Sequence, residues 1–240
     1  MAPAAFKRPL PGDNTGSIVP APRHIVEQKT TGIILRTRPL TETSLIVQWL
    51  SPEHGRIDTA AKGARRNKSP FRGKLDLFFE ADFTFVPSRR SELHTLREAA
   101  ILDTHPALRT DLARLQLASY AVTLIEQTTE KQTPMPEFHE LLRSLLKYLA
   151  AQPAEPKLAL SFELKLLSHL GQQPDSAQGA LTPGSREIVQ QLTARDWPAL
   201  ASLLLSAAQV QELGRFLHGF MQFHLGRIPK GRSSVLDPEL

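Results

Sequence analysis

Cysteine is absent from this chain of 240 residues. The absence of thiols excludes a disulfide scaffold, a thiol nucleophile, an iron–sulfur cluster and a Cys-ligated zinc ion, and it fits a reducing compartment. Long apolar runs are also missing, since none approaches the roughly 20 residues needed to span a bilayer. The first 24 residues carry five prolines and no apolar core, so we do not expect a secretory signal there.

The common catalytic and nucleotide-binding motifs are missing too. The sequence contains no GxxxxGK[ST], GxGxxG, HExxH or GxSxG pattern, which are the signatures of phosphate loops, dinucleotide sites, zinc proteases and serine hydrolases. The eight histidines are scattered and show no metal-ligand spacing. We therefore expect a protein that is not an enzyme and that binds neither a metal nor another cofactor.

Positive charge is concentrated in the first half of the chain. The net charge is +5, and residues 1–105 hold 16 Lys and Arg against 11 Asp and Glu, whereas residues 106–240 hold 13 of each. Residues 60–75 contain six cations and no acid. Such a stretch repels itself unless a polyanion neutralises it, so nucleic acid is the first partner to consider. The six cations are Lys62, Arg65, Arg66, Lys68, Arg72 and Lys74.

The first half has the pattern of a small β-barrel. We expect a disordered, Pro-rich tail over residues 1–24 and a barrel domain over residues 25–105. The clearest strand signal is the alternation of apolar and polar residues over 75–86. Five short strands without a long helix favour a closed barrel. The predicted strands cover residues 32–38, 43–50, 56–61, 75–86 and 94–102.

The second half, residues 106–240, has helical periodicity. Apolar residues recur every three or four positions, and residues 158–170 are apolar nearly all round, which predicts a central buried helix ended by Gly171. We expect short helices over 186–192 and 199–205 and a final helix over 210–225. The predicted fold class is α+β, a five-stranded barrel followed by a helical domain that shares its core.

Residues 62–74 connect two predicted strands and form the best candidate binding site. Their cations suit a phosphate backbone. The loops between strands 1–2 and 4–5 commonly flank the binding face of such barrels, and here they supply Arg36 with Arg38, and Arg89 with Arg90. We expect these three basic regions to converge on one face. The alternative is a charged surface that only keeps the protein soluble.

Phe71 lies inside the basic run and has two interpretations. An aromatic ring among cations can stack on the bases of a single strand. The same ring can instead close one end of the barrel, because an aromatic side chain is more often part of a core. The residues alone leave both open.

Several short segments together resemble the RecO family of bacterial DNA repair proteins. The resemblance covers about residues 30–103 well and 106–230 loosely. The matching segments are TGIILRTR at 31–38, ETSL at 42–45, EHGR at 53–56, KGAR at 62–65, FRGKL at 71–75, TLREA at 95–99, FELKLL at 162–167 with LG at 170–171, and HLGR at 224–227.

The resemblance implies an oligonucleotide/oligosaccharide-binding (OB) fold, a helical domain and a recombination mediator in the bacterial cytoplasm, at the nucleoid. Such a protein binds single- and double-stranded DNA, anneals complementary strands, and acts with RecR, often with RecF, to load RecA onto strands coated by single-stranded-DNA-binding protein. By position, the basic face of the barrel would comprise Arg36, Arg38, Arg56, Lys62, Arg65, Arg66, Lys68, Arg72 and Lys74.

The chain departs from the family pattern at two places. Many members carry a four-cysteine zinc ribbon after the central helix, whereas residues 172–185 contain no cysteine, so we expect no zinc. Some members carry Arg just before the FELxLL run, where the acidic tail of the single-stranded-DNA-binding protein is thought to dock. Leu160 and Ser161 stand there, and Lys157 or Lys165 could substitute.

Two rival functions fit the same residues. An RNA-binding barrel protein would prefer RNA over DNA of the same sequence, because it would use the 2′-hydroxyl. A protein-interaction module would use its helical half and would show no salt-dependent affinity for nucleic acid.

Overall fold

The computed structural model describes residues 26–174 and 181–237, so the predicted tail lies outside the described residues. Five strands form a closed barrel in the order β1-β2-β3-β5-β4. All neighbouring strands are antiparallel except β3 and β5, which confirms the predicted OB-type barrel. The strands are β1 (Gln28–Pro39), β2 (Leu45–Ser51), β3 (Gly55–Ala61), β4 (Glu80–Val86) and β5 (Leu93–Asp103).

Alternate residues of each strand fill the barrel interior, as the pleat requires. Trp49 of β2 stacks on Phe83 of β4 with ring centroids 4.0 Å apart. The buried indole satisfies its polar atom by donating from Nε1 to Oγ1 of Thr59 at 2.8 Å. The interior is therefore a packed core and leaves no lumen for a ligand.

The fourth strand begins later than the alternation predicts. Residues 75–79 lie outside the strand, and the chain turns at Leu77 and Phe78, where Phe78 adopts a left-handed backbone with φ of 64°. Its N–H donates to the carbonyl of Ile34 at 2.8 Å, and the reversal exposes Leu77 while burying the Phe78 ring. A strand over 75–86 was thus wrong in its first five residues, since a pattern of apolar side chains does not report φ.

The helical half follows the barrel through a 3-10 turn at Pro106–Arg109. The predicted helix over 199–205 is wrong, since the helix found there (Trp197–Leu200) ends at Leu200. A further helix at Arg232–Leu236 was not predicted, because five residues are too few to show an apolar period. The helices are α1 (Leu112–Thr128), α2 (Pro136–Ala151), α3 (Pro156–His169), α4 (Pro183–Ala194), α5 (Trp197–Leu200), α6 (Ala207–Leu225) and α7 (Arg232–Leu236).

Helix α3 is the central buried helix that the sequence predicts. Most of its side chains are buried, and it packs against α1, α2, α4, α6 and α7. Gly171 follows it with φ of 71°, and the N–H of Gln172 donates to the carbonyl of Leu167 at 2.9 Å. This left-handed ending satisfies the last carbonyls of the helix, and glycine adopts it without steric cost.

The prediction of a shared core holds for one side of the barrel, since the barrel interior forms a second core of its own. Barrel residues Ile33, Leu35, Leu50 and Phe78 belong to the same buried cluster as the leucines of α1, α2 and α3. A polar contact crosses the junction as well, where Arg143 of α2 donates to Glu80 at 2.7 Å. Within the described residues, no helix is long and apolar enough to cross a membrane.

Candidate nucleic-acid interface

The connection between β3 and β4, residues 62–74, is here called the basic segment. It consists of consecutive turns rather than a helix or strand. Its start is fixed to the β1–β2 turn, since the N–H of Arg65 donates to the carbonyl of Thr43 at 3.0 Å and that of Gly63 to Oγ of Ser44 at 3.2 Å. These bonds hold the cations at one end of the barrel.

The charged side chains of the basic segment point to solvent. Five of them are exposed and Lys74 is half-buried. Within residues 26–174 and 181–237, none of the six lies within 4.0 Å of a carboxylate oxygen. Their mutual repulsion is therefore not compensated by the described part of the chain, and an external polyanion would relieve it.

Phe71 is the inward anchor of the same segment. Its side chain is 6% exposed and packs in the barrel core with Ile34, Val47 and Phe85. A ring in this position cannot stack on a base unless the core opens. The structure thus favours the second interpretation, in which Phe71 closes the barrel.

A cleft of about 480 Å³ lies along the outer face of β1, β2 and β3, and none of its lining residues belongs to the basic segment. We call it the strand groove. Cations and acids alternate on its walls, so its own charges nearly cancel. The lining residues are Arg36, Thr37, Arg38, Ile46, Gln48, Asp58, Glu126 and Lys131.

Arg36, predicted as a phosphate contact, is engaged by the helical half. Its Nε and Nη2 donate to the two carboxylate oxygens of Glu126 at 2.6 and 2.5 Å. This bidentate pair raises the pKa of Arg36. Arg38 is freer, since it is 66% exposed and lies 3.9 Å from the carboxylate of Asp58. Both arginines face the strand groove, but a phosphate must compete with carboxylates to reach them.

Lys131 is a cation of the groove that sequence reasoning missed. Its Nζ lies 2.9 Å from the carboxylate of Asp58 and 3.4 Å from that of Glu92, and these carboxylates raise its pKa. The link between α1 and α2 brings it there, because Gln132 donates its N–H to the carbonyl of Arg56 at 2.9 Å. No local pattern marks this lysine, since only the tertiary fold places it on the barrel.

Arg56, also predicted as a contact, holds the barrel to the helices instead. Its guanidinium donates to Oγ1 of Thr129 at 2.7 Å and to the carbonyl of the same residue. Burial lowers the pKa of this half-buried group. Because its donors are used at the end of α1, Arg56 is a structural residue in the folded chain.

The β4–β5 loop, residues 87–92, carries the exposed side chains of Arg89 and Arg90. Its conformation depends on a buried imidazole, since the N–H of Ser88 donates to Nδ1 of His94 at 3.1 Å. Burial lowers the pKa of His94, which keeps this nitrogen available as an acceptor. Through Glu92 and Lys131 the loop reaches the same Asp58 that Arg38 faces. The loop and the β1 arginines therefore flank one face.

Lys157 and Lys165, predicted as substitutes for a tail-docking arginine, both point inward. Nζ of Lys157 donates to the carbonyl of Leu203 at 3.0 Å, and Nζ of Lys165 donates to those of Thr193 and Arg195 at 2.8 and 2.6 Å. Burial lowers the pKa of Lys165. Both lysines satisfy carbonyls at the ends of neighbouring helices, a common use of lysine.

Models of known families match most of this chain. The model described as recombination protein O N terminal covers residues 25–105, and the one described as recombination protein O C terminal covers residues 109–182. A DNA repair protein RecO of Symbiobacterium thermophilum is 34% identical over 227 residues, which is 87% of each chain. This chain belongs to the RecO family. The first model spans the barrel and its basic segment, whereas the second ends at the start of α4.

Other RecO proteins match over different lengths. The DNA repair protein RecO of Myxococcus xanthus is 30% identical over 223 residues, covering 81% of this chain and 91% of the relative. That of Pelobacter propionicus is 33% identical over 147 residues, covering 61% of this chain and 59% of the relative. The RecO family is one of DNA repair and recombination, which agrees with a barrel that presents unpaired cations.

Proposed function

We propose that this RecO-family protein binds single- and double-stranded DNA through the basic segment and the strand groove, and that it anneals complementary strands. The observation that carries the proposal is the set of six outward cations without a carboxylate partner among the described residues. Phosphates are the closely spaced anions that such a surface fits, and counterion release would drive the association.

The surface suits annealing because it presents few groups that could recognise individual bases. Its flexible cations would contact phosphates, which position a strand without specifying it, and Phe71 is held in the core. Neutralised phosphates no longer keep two strands apart, and bases that carry no protein contact stay free to pair. The reaction needs no bond to be made or broken by the protein.

The strand groove would extend the contact from the segment toward the β4–β5 loop. A phosphate entering it would take over the guanidinium of Arg36 from Glu126, or the ammonium of Lys131 from Asp58. The Arg36 exchange should be the easier one, because Arg36 is 56% exposed, whereas taking Lys131 away leaves the Asp58 carboxylate, 7% exposed, without this partner. The segment should therefore supply most of the affinity, and the groove should tune it.

Salt dependence tests the electrostatic basis. Contact with about four phosphates of a single strand predicts a log–log slope of affinity against salt near −3, since each phosphate contributes roughly −0.7. Changing Arg65→Glu and Arg66→Glu together should reduce the slope to about −1.4 and weaken binding about 20-fold near 0.1 M salt. The loss should be the same for all sequences. Unchanged binding would remove the basic segment as the site.

A matched control carries the same change of charge elsewhere. Lys147→Glu with Arg195→Glu alters two side chains of the helical half and should leave both slope and affinity near those of the parent chain. If this control lost as much affinity as the segment variant, net charge rather than a defined surface would govern binding, contrary to the proposal.

The cellular role we propose is that of a recombination mediator at the nucleoid. It would act with a RecR-like protein to load RecA on strands coated by the single-stranded-DNA-binding protein. Annealing of complementary strands coated by that protein should accelerate with this chain, and the Arg65→Glu, Arg66→Glu variant should lose the effect. Acceleration on bare strands alone would contradict the mediator role while keeping annealing. A preference for RNA over DNA of the same sequence would contradict the whole proposal.

A further inference from the structure

The last part of the helical half contains a second stretch without acids. Residues 213–236 include Arg215, Arg227, Lys230 and Arg232 and no Asp or Glu. Arg232 turns inward to Glu163, whereas the other three are exposed. In the described part of the chain no carboxylate oxygen lies within 4.0 Å of these three. The zero net charge of the half thus conceals a basic surface.

The acid nearest to this stretch along α6 is bonded to the start of α4, although it stays partly exposed. Glu212 accepts hydrogen bonds from the N–H of Thr182 and from Oγ of Ser185, both at 2.6 Å. These bonds hold its carboxylate at the first turn of α4, where helix N–H groups favour an anion. The outer face of α6 beyond that point keeps its positive charge.

Two exposed aromatic rings lie near the end of α6, within the same acid-free stretch. Phe223 is 84% exposed, and its centroid lies 5.0 Å from that of His224. The His224 ring in turn lies 4.1 Å from that of Phe220. A single exposed apolar side chain needs no explanation of its own, but this ring lies next to a second aromatic ring and within a stretch that has no acids.

Gly219 leaves the helix backbone bare between Arg215 and Phe223. These three residues are spaced at i, i+4 and i+8, on one face and about 12 Å from end to end. Glycine inside a helix is less favourable than alanine, and a Cβ at Gly219 would meet no heavy atom within 4 Å. Gly214 differs, because Leu236 packs at 3.4 Å from its Cβ position. Packing explains Gly214 but not Gly219.

We propose that this face, the α6 surface, is a second site for single-stranded nucleic acid. Bases would stack on Phe223 and His224, the phosphates would meet the arginines, and Gly219 would let the strand approach closely. A stacking platform flanked by cations is the usual means of holding single strands without sequence preference. The α6 surface comprises Arg215, Gly219, Phe223 and His224 of the helix, with Arg227 two residues beyond its end.

The two sites lie on different parts of the molecule. Helix α6 packs on α3, α4 and α7, whereas the barrel strands are contacted by α2. One long strand could reach both sites, or two strands could each take one. This inference takes its ligand from the proposed function, but the α6 surface can be tested separately from the basic segment.

A tryptophan reporter tests the stacking directly. The native Trp49 and Trp197 are 0% and 5% exposed, so Phe223→Trp would add an indole that alone is open to iodide. A thymidine oligomer of about 10 nucleotides should quench it and shield it from iodide. It should do so even when Arg65 and Arg66 are changed to Glu. Absence of shielding, or shielding by an acidic peptide and not by the oligomer, would overturn the proposal.

Strand length separates the two sites in the unlabelled protein. Phe223→Ala should weaken binding of a strand of about 40 nucleotides roughly 5-fold or more, as expected for loss of one stacked base. Leu112→Ala removes another exposed apolar side chain, 69% open, and should have no effect. Equal losses in both variants would refute the site. Failure of binding to the basic segment is measured separately, as a parental salt slope in the Arg65→Glu, Arg66→Glu variant.

A third test compares the thermal stability and the strand affinity of a variant at Gly219. A merely structural role of this glycine would not make the two change in opposite directions. Gly219→Ala should raise the Tm, because alanine favours the helix and nothing obstructs its methyl group. The same change should weaken binding of the long strand, because the methyl group keeps the strand at a distance. A higher Tm with unchanged affinity would exclude close approach at Gly219 and count against the α6 surface.

Discussion

Cations are placed in opposite ways in the core of the helical half and in the basic segment of the barrel. Lys157, Lys165 and Arg232 reach inward, and each is satisfied by carbonyls or by a carboxylate. The cations of residues 62–74 reach outward and have no carboxylate partner among the described residues. A count of charges cannot distinguish these two arrangements, although one contributes to folding and the other is the one that we propose for binding.

The inward arrangement is clearest where three elements meet. Arg232 of α7 donates to both oxygens of Glu163 in α3 at 2.7 and 2.9 Å, and the hydroxyl of Tyr120 in α1 donates to the same carboxylate. Burial, then the nearby negative charge, raises the pKa of Tyr120 well above its usual value. This buried network ties the end of the chain to the central helix.

The largest effect should come from breaking this network. Arg232→Met leaves the Glu163 carboxylate buried without its partner and should cost about 3–5 kcal/mol of unfolding free energy. Urea unfolding measures the loss. The double change Glu163→Leu with Arg232→Met should recover most of it, since no charge is then buried. If Arg232→Met weakened DNA binding but not folding, the contrast between inward and outward cations would fail.

The inward anchor of the basic segment gives the next effect. Phe71→Ala should lower the unfolding free energy by about 3–5 kcal/mol as a cavity opens in the barrel core. Phe71→Leu should cost less and keep the affinity for single strands, measured by anisotropy below the Tm. An affinity loss in Phe71→Leu without a change in stability would instead assign the ring to DNA.

The cations of the strand groove are exposed but paired with carboxylates, so they are intermediate between the inward and the outward cations. Releasing one of them should change DNA affinity by less than the losses of stability described above. Glu126→Gln releases Arg36 and should tighten DNA binding up to about 5-fold at 0.1 M salt, through one added phosphate contact. Stability should change little, because Arg36 is 56% exposed. Unchanged affinity and unchanged salt slope would place the groove outside the path of the strand.

The smallest effect concerns pH and compares one buried histidine from each half. Burial lowers the pKa of His94 in the barrel and of His139 in α2. Below about pH 6.5 the unfolded chain takes up protons that these groups resist in the fold, so stability is full above that pH and falls as pH decreases. Melting curves of His94→Gln and His139→Gln should each show a flatter acid slope. A parental slope in both would contradict this.

Much of the fold could be predicted because its signals are local. Strand alternation, helical periodicity and the apolar run of α3 each report burial within a few residues. The left-handed backbone of Phe78 could not be predicted, because its N–H donates a hydrogen bond to the carbonyl of Ile34 in β1, far away in the sequence. The final helix α7 is short, and Arg232 inside it is held by a partner far along the chain.

The position of the candidate site could be proposed from the sequence, but whether each of its cations is free could not. The acid-free run over 62–74 identified the basic segment without any structure. Whether a cation is free depends on its tertiary neighbours, since Arg36 donates hydrogen bonds to Glu126 and Arg56 donates one to Thr129. The same neighbours added Lys131, a lysine that nothing in its own sequence context distinguishes.

The apolar core that joins the barrel to the helices bears on how this architecture can evolve. Four barrel side chains pack among the leucines of the helices: Ile33, Leu35, Leu50 and Phe78. In addition, Gly55 lies so close to the backbone of Thr133 that a Cβ on Gly55 would be 1.9 Å from the Thr133 carbonyl oxygen. A barrel excised near residue 105 would expose these surfaces to water. The barrel is therefore not expected to be stable when it is transferred without the helical half. We expect the two parts to be inherited together.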